Sequence, residues 1–132
     1  MVDVMLSRIT KPTKKDLDED ISWLCGSLGL SQARDTSNMS LEVFKIILCK
    51  GEHALTPELI ARELNIAHQR ALYHIRALIK AGVVVRVNKH IELREGSMTR
   101  VIDELQSDTD KIFSDMRKIA ADVDETLGLE NR

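Results

Sequence analysis

Between Thr56 and Leu93 the chain reads TPELIARELNIAHQRALYHIRALIKAGVVVRVNKHIEL, and this stretch narrows the possible folds furthest. Thr56 is suited to cap a helix, and Pro57 fits the first turn, where its missing N–H costs nothing. Glu58 puts a negative charge at the positive end of the helix dipole. Leu59, Ile60 and Leu64 form one apolar face, and Ala61 is small enough for a second helix to cross closely. Asn65 stands where the helix needs a left-handed residue to stop, a conformation Asn tolerates better than most. Ile66 then plugs the space between two helices. The spacing predicts the second helix over Ala67 to Ala81, where Ala71, Ile75 and Leu78 recur at four and three with Leu72 and Ile79 beside them. Its opposite face carries Gln69, Arg70, Tyr73, Arg76 and Lys80, with His68 and His74 near the edges. Gly82 ends it. Val83 to Val87 is a β-branched run, Asn88-Lys89 can turn, and His90 to Arg94 alternates again, so a small β-hairpin closes the unit.

Helix, tight turn, helix and hairpin is the order of a helix-turn-helix with a wing, a shape that sets one helix into the DNA major groove. The segment resembles the winged helix-turn-helix transcriptional regulators, in particular the small ArsR-type and MarR-type proteins of archaea. The residues that carry the resemblance are LIARELNI, Leu59 to Ile66, and AHQRALYHIRALIKAGVV, Ala67 to Val84. The family pattern Leu-Gly-hydrophobic-Ser-x-x-Thr-Val-x-x-His-Leu-x-x-Leu runs here from Leu64 to Leu78. Asn65 replaces the Gly, Ala67 the capping Ser and Arg70 the Thr. The last two changes remove hydroxyls that often touch phosphate, and Arg70 is able to supply a contact instead. The resemblance covers under half the chain. It implies duplex DNA binding and transcriptional control.

The side chains on the exposed face have chemistry that suits this. Gln reads adenine and Arg reads guanine through paired hydrogen bonds, which fits Gln69 and Arg70 near the front of the second helix beside Tyr73. Arg76, Lys80, Arg86 and Lys89 are better placed for phosphates. With His68 and His74 these residues make up the expected DNA-binding set. The wing has a turn of about two residues, too short for deep minor-groove reading. Between Thr56 and Arg94 there are seven cations against three anions, whereas from Ser97 onward there are five cations against nine anions. A basic reader joined to an acidic tail is what a DNA-binding dimer shows, although two solvated surfaces of opposite sign give the same count.

The rest of the chain supplies a scaffold. Val2, Val4, Leu6 and Ile9 form either an added strand or a frayed arm. Lys11, Lys14 and Lys15 around Pro12 either touch DNA backbone or belong to a solvated terminus. Thr13 with Asp16 reads as a capping box, with Asp18, Glu19 and Asp20 favouring the dipole. Leu17, Ile21, Leu24 and Leu28 follow as a stripe that ends near Gly26 to Gly29, and Trp23 adds area. Ser31 to Ser40 is a polar linker. Leu41, Val43, Phe44, Ile46, Ile47 and Leu48 mark a central core helix that starts near Ser40 and stops at Gly51, with Glu52 to Leu55 leading into the Thr56 cap. After Glu95-Gly96, Ser97 caps a long helix. Met98, Ile102, Leu105, Thr109, Ile112, Met116, Ile119, Val123 and Thr126 recur by four and three, which is a coiled-coil seam, widened by Phe113, Ala120 and Leu127. About 29 residues at about 1.5 Å each give roughly 43 Å. A domain of this size needs no such rod, so it is expected to dimerise, packing also on the Leu17–Leu28 helix. The alternative is a helix folded back on its own domain. The expected dimer contacts are Leu17, Ile21, Leu24, Ile102, Leu105, Ile112, Phe113, Met116, Ile119 and Val123.

Other classes of function find less support. A pI near 6.1 and net charge of −2 count against indiscriminate nucleic-acid binding. His68 and His74, at i and i+6, do not share a helix face. With His90 they make no convincing metal site, and the cysteine-rich signature of metal-sensing ArsR-type proteins is absent. Cys25 and Cys49 lie in apolar helical patterns and read as buried free thiols of a reducing cytosol. No catalytic constellation or phosphate loop occurs, and four aromatic residues make no single-strand stacking platform. No signal peptide or membrane-spanning run is evident. The expectation is a mainly α protein with a small β-hairpin: an N-terminal arm and helix over 1–36, a winged helix-turn-helix domain over 37–95, and a C-terminal coiled-coil helix over 96–132. It is expected to be a cytoplasmic homodimeric regulator that binds double-stranded DNA, without enzyme activity or cofactor. The runner-up is a winged-helix protein-interaction module in a transcription or chromosome complex.

Overall fold

The computed structural model describes residues 4–13, 15–30, 38–50 and 54–129. Val2, Lys14, most of the expected linker (31–37), the expected helix stop at Gly51, and the charged ends Glu130 and Arg132 lie outside them. The described chain is mainly helical: α1 Leu17–Ser27, α2 Met39–Lys50, α3 Pro57–Leu64, α4 His68–Lys80 and α5 Met98–Leu127. β1 Val84–Val87 and β2 His90–Leu93 form one antiparallel two-stranded sheet, followed by a 3-10 turn over Arg94–Gly96.

α2 is the centre of the body and packs against α1, α3, α4 and β2. Val43, Phe44 and Ile47 on its inner face are almost fully buried. They meet Ile60 from α3, Ala71, Ile75 and Leu78 from α4, and Ile91 from the sheet in one apolar cluster. α3 and α4 pack on each other. Local chemistry sets the angle between them. Thr56 Oγ1 accepts from Leu59 N at 3.2 Å and caps α3. Asn65 adopts the left-handed conformation at φ 53°, Asn65 N donates to Arg62 O, and Ile66 N donates to Ala61 O. This paired closure satisfies the last carbonyls of α3 and turns the chain within three residues. α4 ends in the same way, with Gly82 N on Ile79 O and Val83 N on Leu78 O, and with Gly82 at φ 81°.

The hairpin pairs Val84 with Leu93 and Val87 with His90. Asn88 and Lys89 both take positive φ, 50° and 72°, as a tight two-residue hairpin turn demands. The far edge of β2 is held by Ile91 N donating to Leu55 O at 2.7 Å, which ties the hairpin to the entry of α3.

The N-terminal region differs from expectation in several ways. Residues 4–13 form no strand. They lie along α1, with Ser7 N donating to Ser27 O at 2.9 Å and the Trp23 indole N–H to Ile9 O at 3.2 Å. Gly26 and Gly29 make room for this arm, since a Cβ there would stand 3.0 Å from Ile9 Cδ1 and Met5 Cβ respectively. The α1 cap is Asp16, whose carboxylate accepts from Asp18 N, and Thr13 lies outside the helix. α2 begins at Met39, within one residue of the start expected near Ser40. Ile21 is buried in this chain's own core and is therefore not a free dimer contact, whereas Leu17 is exposed and Leu24 half-buried. α1 packs on α2, where Lys45 pairs with Asp18 at 2.8 Å.

α5 is capped by Ser97, whose Oγ accepts from Arg100 N. Val101 and Leu105 are buried against the body. Leu105 thus belongs to the core, which corrects its place among dimer contacts. The remaining dimer set from α5, Ile102 and the residues from Ile112 to Val123, is exposed, so the helix does not fold back on its own domain. Among the described residues no helix is long and apolar enough to cross a membrane.

Candidate functional site

The outer face of α4 carries polar, cationic and aromatic side chains together. Ala71, Ile75 and Leu78 face inward, so the 3.6-residue period turns Gln69, Tyr73, Arg76 and Lys80 outward to line a shallow groove. His68 and Arg70 are exposed at the start of the helix. Arg86 is exposed on β1, across from Ile91, and Lys89 is exposed at the tip of the hairpin. Eight of the nine residues expected to contact DNA therefore lie on accessible surface, on two consecutive elements.

His74 does not. It is buried, and a 3.1 Å hydrogen bond joins its Nδ1 to Ser40 Oγ of α2. Its ring stands edge-on to Tyr73, with centroids 5.1 Å apart. His74 is three residues after Ala71 and four before Leu78, which puts it on the rim of the buried stripe. Once a hydroxyl from α2 meets the imidazole there, burial carries no unsatisfied nitrogen at that position. Leu59 departs in the other direction. It was expected on the apolar face of α3 and is 41% exposed. Cys49 is exposed rather than buried, and Cys25 is buried; both are free thiols.

Electrostatics gather at the start of the two helices. Glu58 lies at the N-terminus of α3, and its carboxyl is held below the ordinary value of 4.5. A hydrogen bond with its own backbone is the largest cause, followed on the lowering side by the Thr56 side chain and then by His68 and Arg86. The hairpin cation and the first residue of α4 thus share an electrostatic neighbourhood. Ala67, the residue before α4, makes no side-chain cap. The first N–H groups of α4 therefore have no hydroxyl in front of them, a geometry that favours an anion.

Arg94 was counted in the sequence as one cation among seven, and the structure gives it a specific place. Its guanidinium donates to Asp108 Oδ2 at 2.9 Å, to Glu104 Oε2 at 3.5 Å and to Gly82 O at 3.3 Å. Its backbone N–H donates to Val83 O. One side chain thus fastens the end of α4 to the first turns of α5. A signal existed in the sequence, because Glu104 and Asp108 are spaced i, i+4 on one edge of α5. Nothing local pointed to Arg94 as their partner.

Among the described residues no three His, Cys, Asp or Glu side chains stand close enough to hold a metal ion. Comparison with known protein families, with curated proteins and with solved structures finds no match to this chain.

Proposed function

We propose that this chain is a winged helix-turn-helix transcriptional regulator that binds double-stranded DNA as a homodimer, with α4 as the reading helix and the β1–β2 hairpin as the wing. The observation that carries this reading is the outer face of α4, where Gln69, Arg70, Tyr73, Arg76 and Lys80 project from a helix whose opposite stripe is locked in the core. Gln69 and Arg70 reach base edges, while Arg76, Lys80, Arg86 and Lys89 neutralise phosphates. The hairpin turn sets the Lys89 ammonium at the exposed tip of the wing, where it is free to meet a phosphate.

The exposed stripe of α5 supports the dimer. Ile112, Phe113, Met116, Ile119, Val123 and Leu127 are all more than 40% exposed on one helix. Contiguous apolar surface of that kind marks an interface. Two such bodies present two reading helices to successive major grooves, about 34–36 Å apart.

The test is fluorescence anisotropy with random duplex DNA at several salt concentrations. Binding that falls steeply with salt is expected, followed by a selection that finds a preferred sequence. Replacing both Arg70 and Tyr73 by Ala is expected to erase that preference. An unchanged preference would remove α4 as the reader. The second reading, a protein-docking module, is favoured by the exposed apolar side chains Tyr73 on α4 and Val87 on β1 and by the net charge of −2. Absence of DNA binding even at low salt would select it.

A further inference from the structure

Residues 4–13 carry no acidic side chain and two cations, Arg8 and Lys11, both exposed. Neither enters an ion pair with a described residue. Over this stretch the arm is tied down. Ser7 N donates to Ser27 O at 2.9 Å, and Ile9 O accepts from the Trp23 indole N–H at 3.2 Å. Arg8 therefore stands between two pinned backbone positions with its side chain in solvent. The arm also has a direction. Met5 lies against Gly29 and Ile9 against Gly26, so the chain runs from the C-terminal end of α1 back toward its start.

The beginning of the arm meets the end of α4. Met5 and Gly29 share a small cavity with Ala77, Lys80 and Ala81. Ala77 and Lys80 also line the groove on the outer face of α4, together with Gln69, Tyr73 and Arg76. The arm thus starts where that groove ends, and Arg8 is three residues, about 10 Å of extended chain, from Met5. The acidic residues Asp18, Glu19 and Asp20 occupy the first turn of α1, away from this junction. Lys11 comes later on the arm and is the cation nearer to them.

We propose that Arg8 is a phosphate contact of the DNA interface, held by the arm beside the Lys80 end of α4. This rests on the DNA-binding reading above and adds to it a residue outside α4 and the hairpin. Phosphates follow closely along a duplex, so a helix seated in the major groove has backbone beyond both of its ends. Arg86 shares the neighbourhood of His68 at the start of α4, and Arg8 lies past its end, so cations flank the reading face on both sides. A guanidinium suits the task, because its fork of N–H donors matches the oxygens of a phosphate. The backbone around Arg8 is already fixed, so binding has only the side chain to order.

Anisotropy titrations of the Arg8→Ala chain with random duplex DNA at several salt concentrations test this, with Lys11→Ala as the comparison. Arg8→Ala is expected to bind several-fold more weakly at low salt and to lower the slope of log affinity against log salt by about one, with the sequence preference unaltered. Arg8→Lys keeps the charge and is expected to retain the slope. Lys11→Ala is expected to change it less. An unchanged slope in Arg8→Ala, or an equal loss from Lys11→Ala, would overturn the placement of Arg8 and leave DNA binding by α4 standing. Absence of binding by the unaltered chain would remove both.

Discussion

Ile60 on α3 is fully buried, and Ile119 on α5 is 64% exposed, although both lie on the apolar stripe of an amphipathic helix. The difference is in what each helix has available to cover it. α3 is eight residues long and is crossed by α4 and α2, so Ile60 and Ala61 are buried within the body and only Leu59 at the edge of the stripe stays exposed. α5 is thirty residues long, and only its first turns meet the body, at Val101 and Leu105. The body offers no further surface, so the same sequence pattern that builds a core in one region leaves an interface in the other. An apolar period establishes that a helix has a sticky side, and length relative to the body decides whether the chain can cover that side itself.

The largest effect should separate the two regions directly. Ile60→Ala is expected to lower unfolding stability by about 2–5 kcal/mol, measured by urea titration, because it opens a cavity in packed surroundings. Ile119→Ala in dilute protein should change it by less than about 0.5 kcal/mol, and the loss should appear in self-association by sedimentation. A comparable loss of monomer stability at both sites would erase the contrast. The joint between the regions comes next. Arg94→Met removes three side-chain hydrogen bonds from a mostly buried guanidinium and should cost about 2 kcal/mol. Faster hydrogen exchange at Val101 to Leu105 is the local readout, and unchanged protection there would mean that α5 is held by packing alone.

Within the body, the two crossed helices begin differently. Thr56→Ala should cost about 1 kcal/mol by uncapping α3, whereas Ala67→Ser should add up to about 1 kcal/mol by capping α4. A loss at both positions would show that the start of α4 does not tolerate a capping hydroxyl. The smallest and most informative change is Lys89→Gly. It relieves a positive φ and should raise stability by up to about 1 kcal/mol while weakening DNA binding and lowering the salt slope by about one. Higher stability with unaltered binding would detach Lys89 from the phosphates.

Much of the body was legible residue by residue. The Thr56 cap, the left-handed Asn65, the Gly82 stop, the Asn88-Lys89 turn and the Ser97 cap all appear where expected. Each depends on neighbours within about five positions, so the sequence alone contains both partners. The α1 cap was misplaced by three residues because Thr13 and Asp16 both suit the position, and Asp16 is the one whose carboxylate reaches a free N–H. Of the site, the exposed face of α4 followed from the period of its buried face.

What the tertiary structure decided involves partners far away in the chain. His74 is buried because Ser40, thirty-four positions earlier, meets it with a hydroxyl. Arg94 became a clamp because α5 returns Glu104 and Asp108 to it beside the end of α4. Ile21 and Leu105 turned inward because α2 and the body stood within reach, and the apolar residues beyond Thr109 stayed outside because nothing did. Periodicity and capping are written in consecutive residues. Burial at the rim of a stripe is set by whichever distant side chain arrives there, and a local pattern carries no record of that.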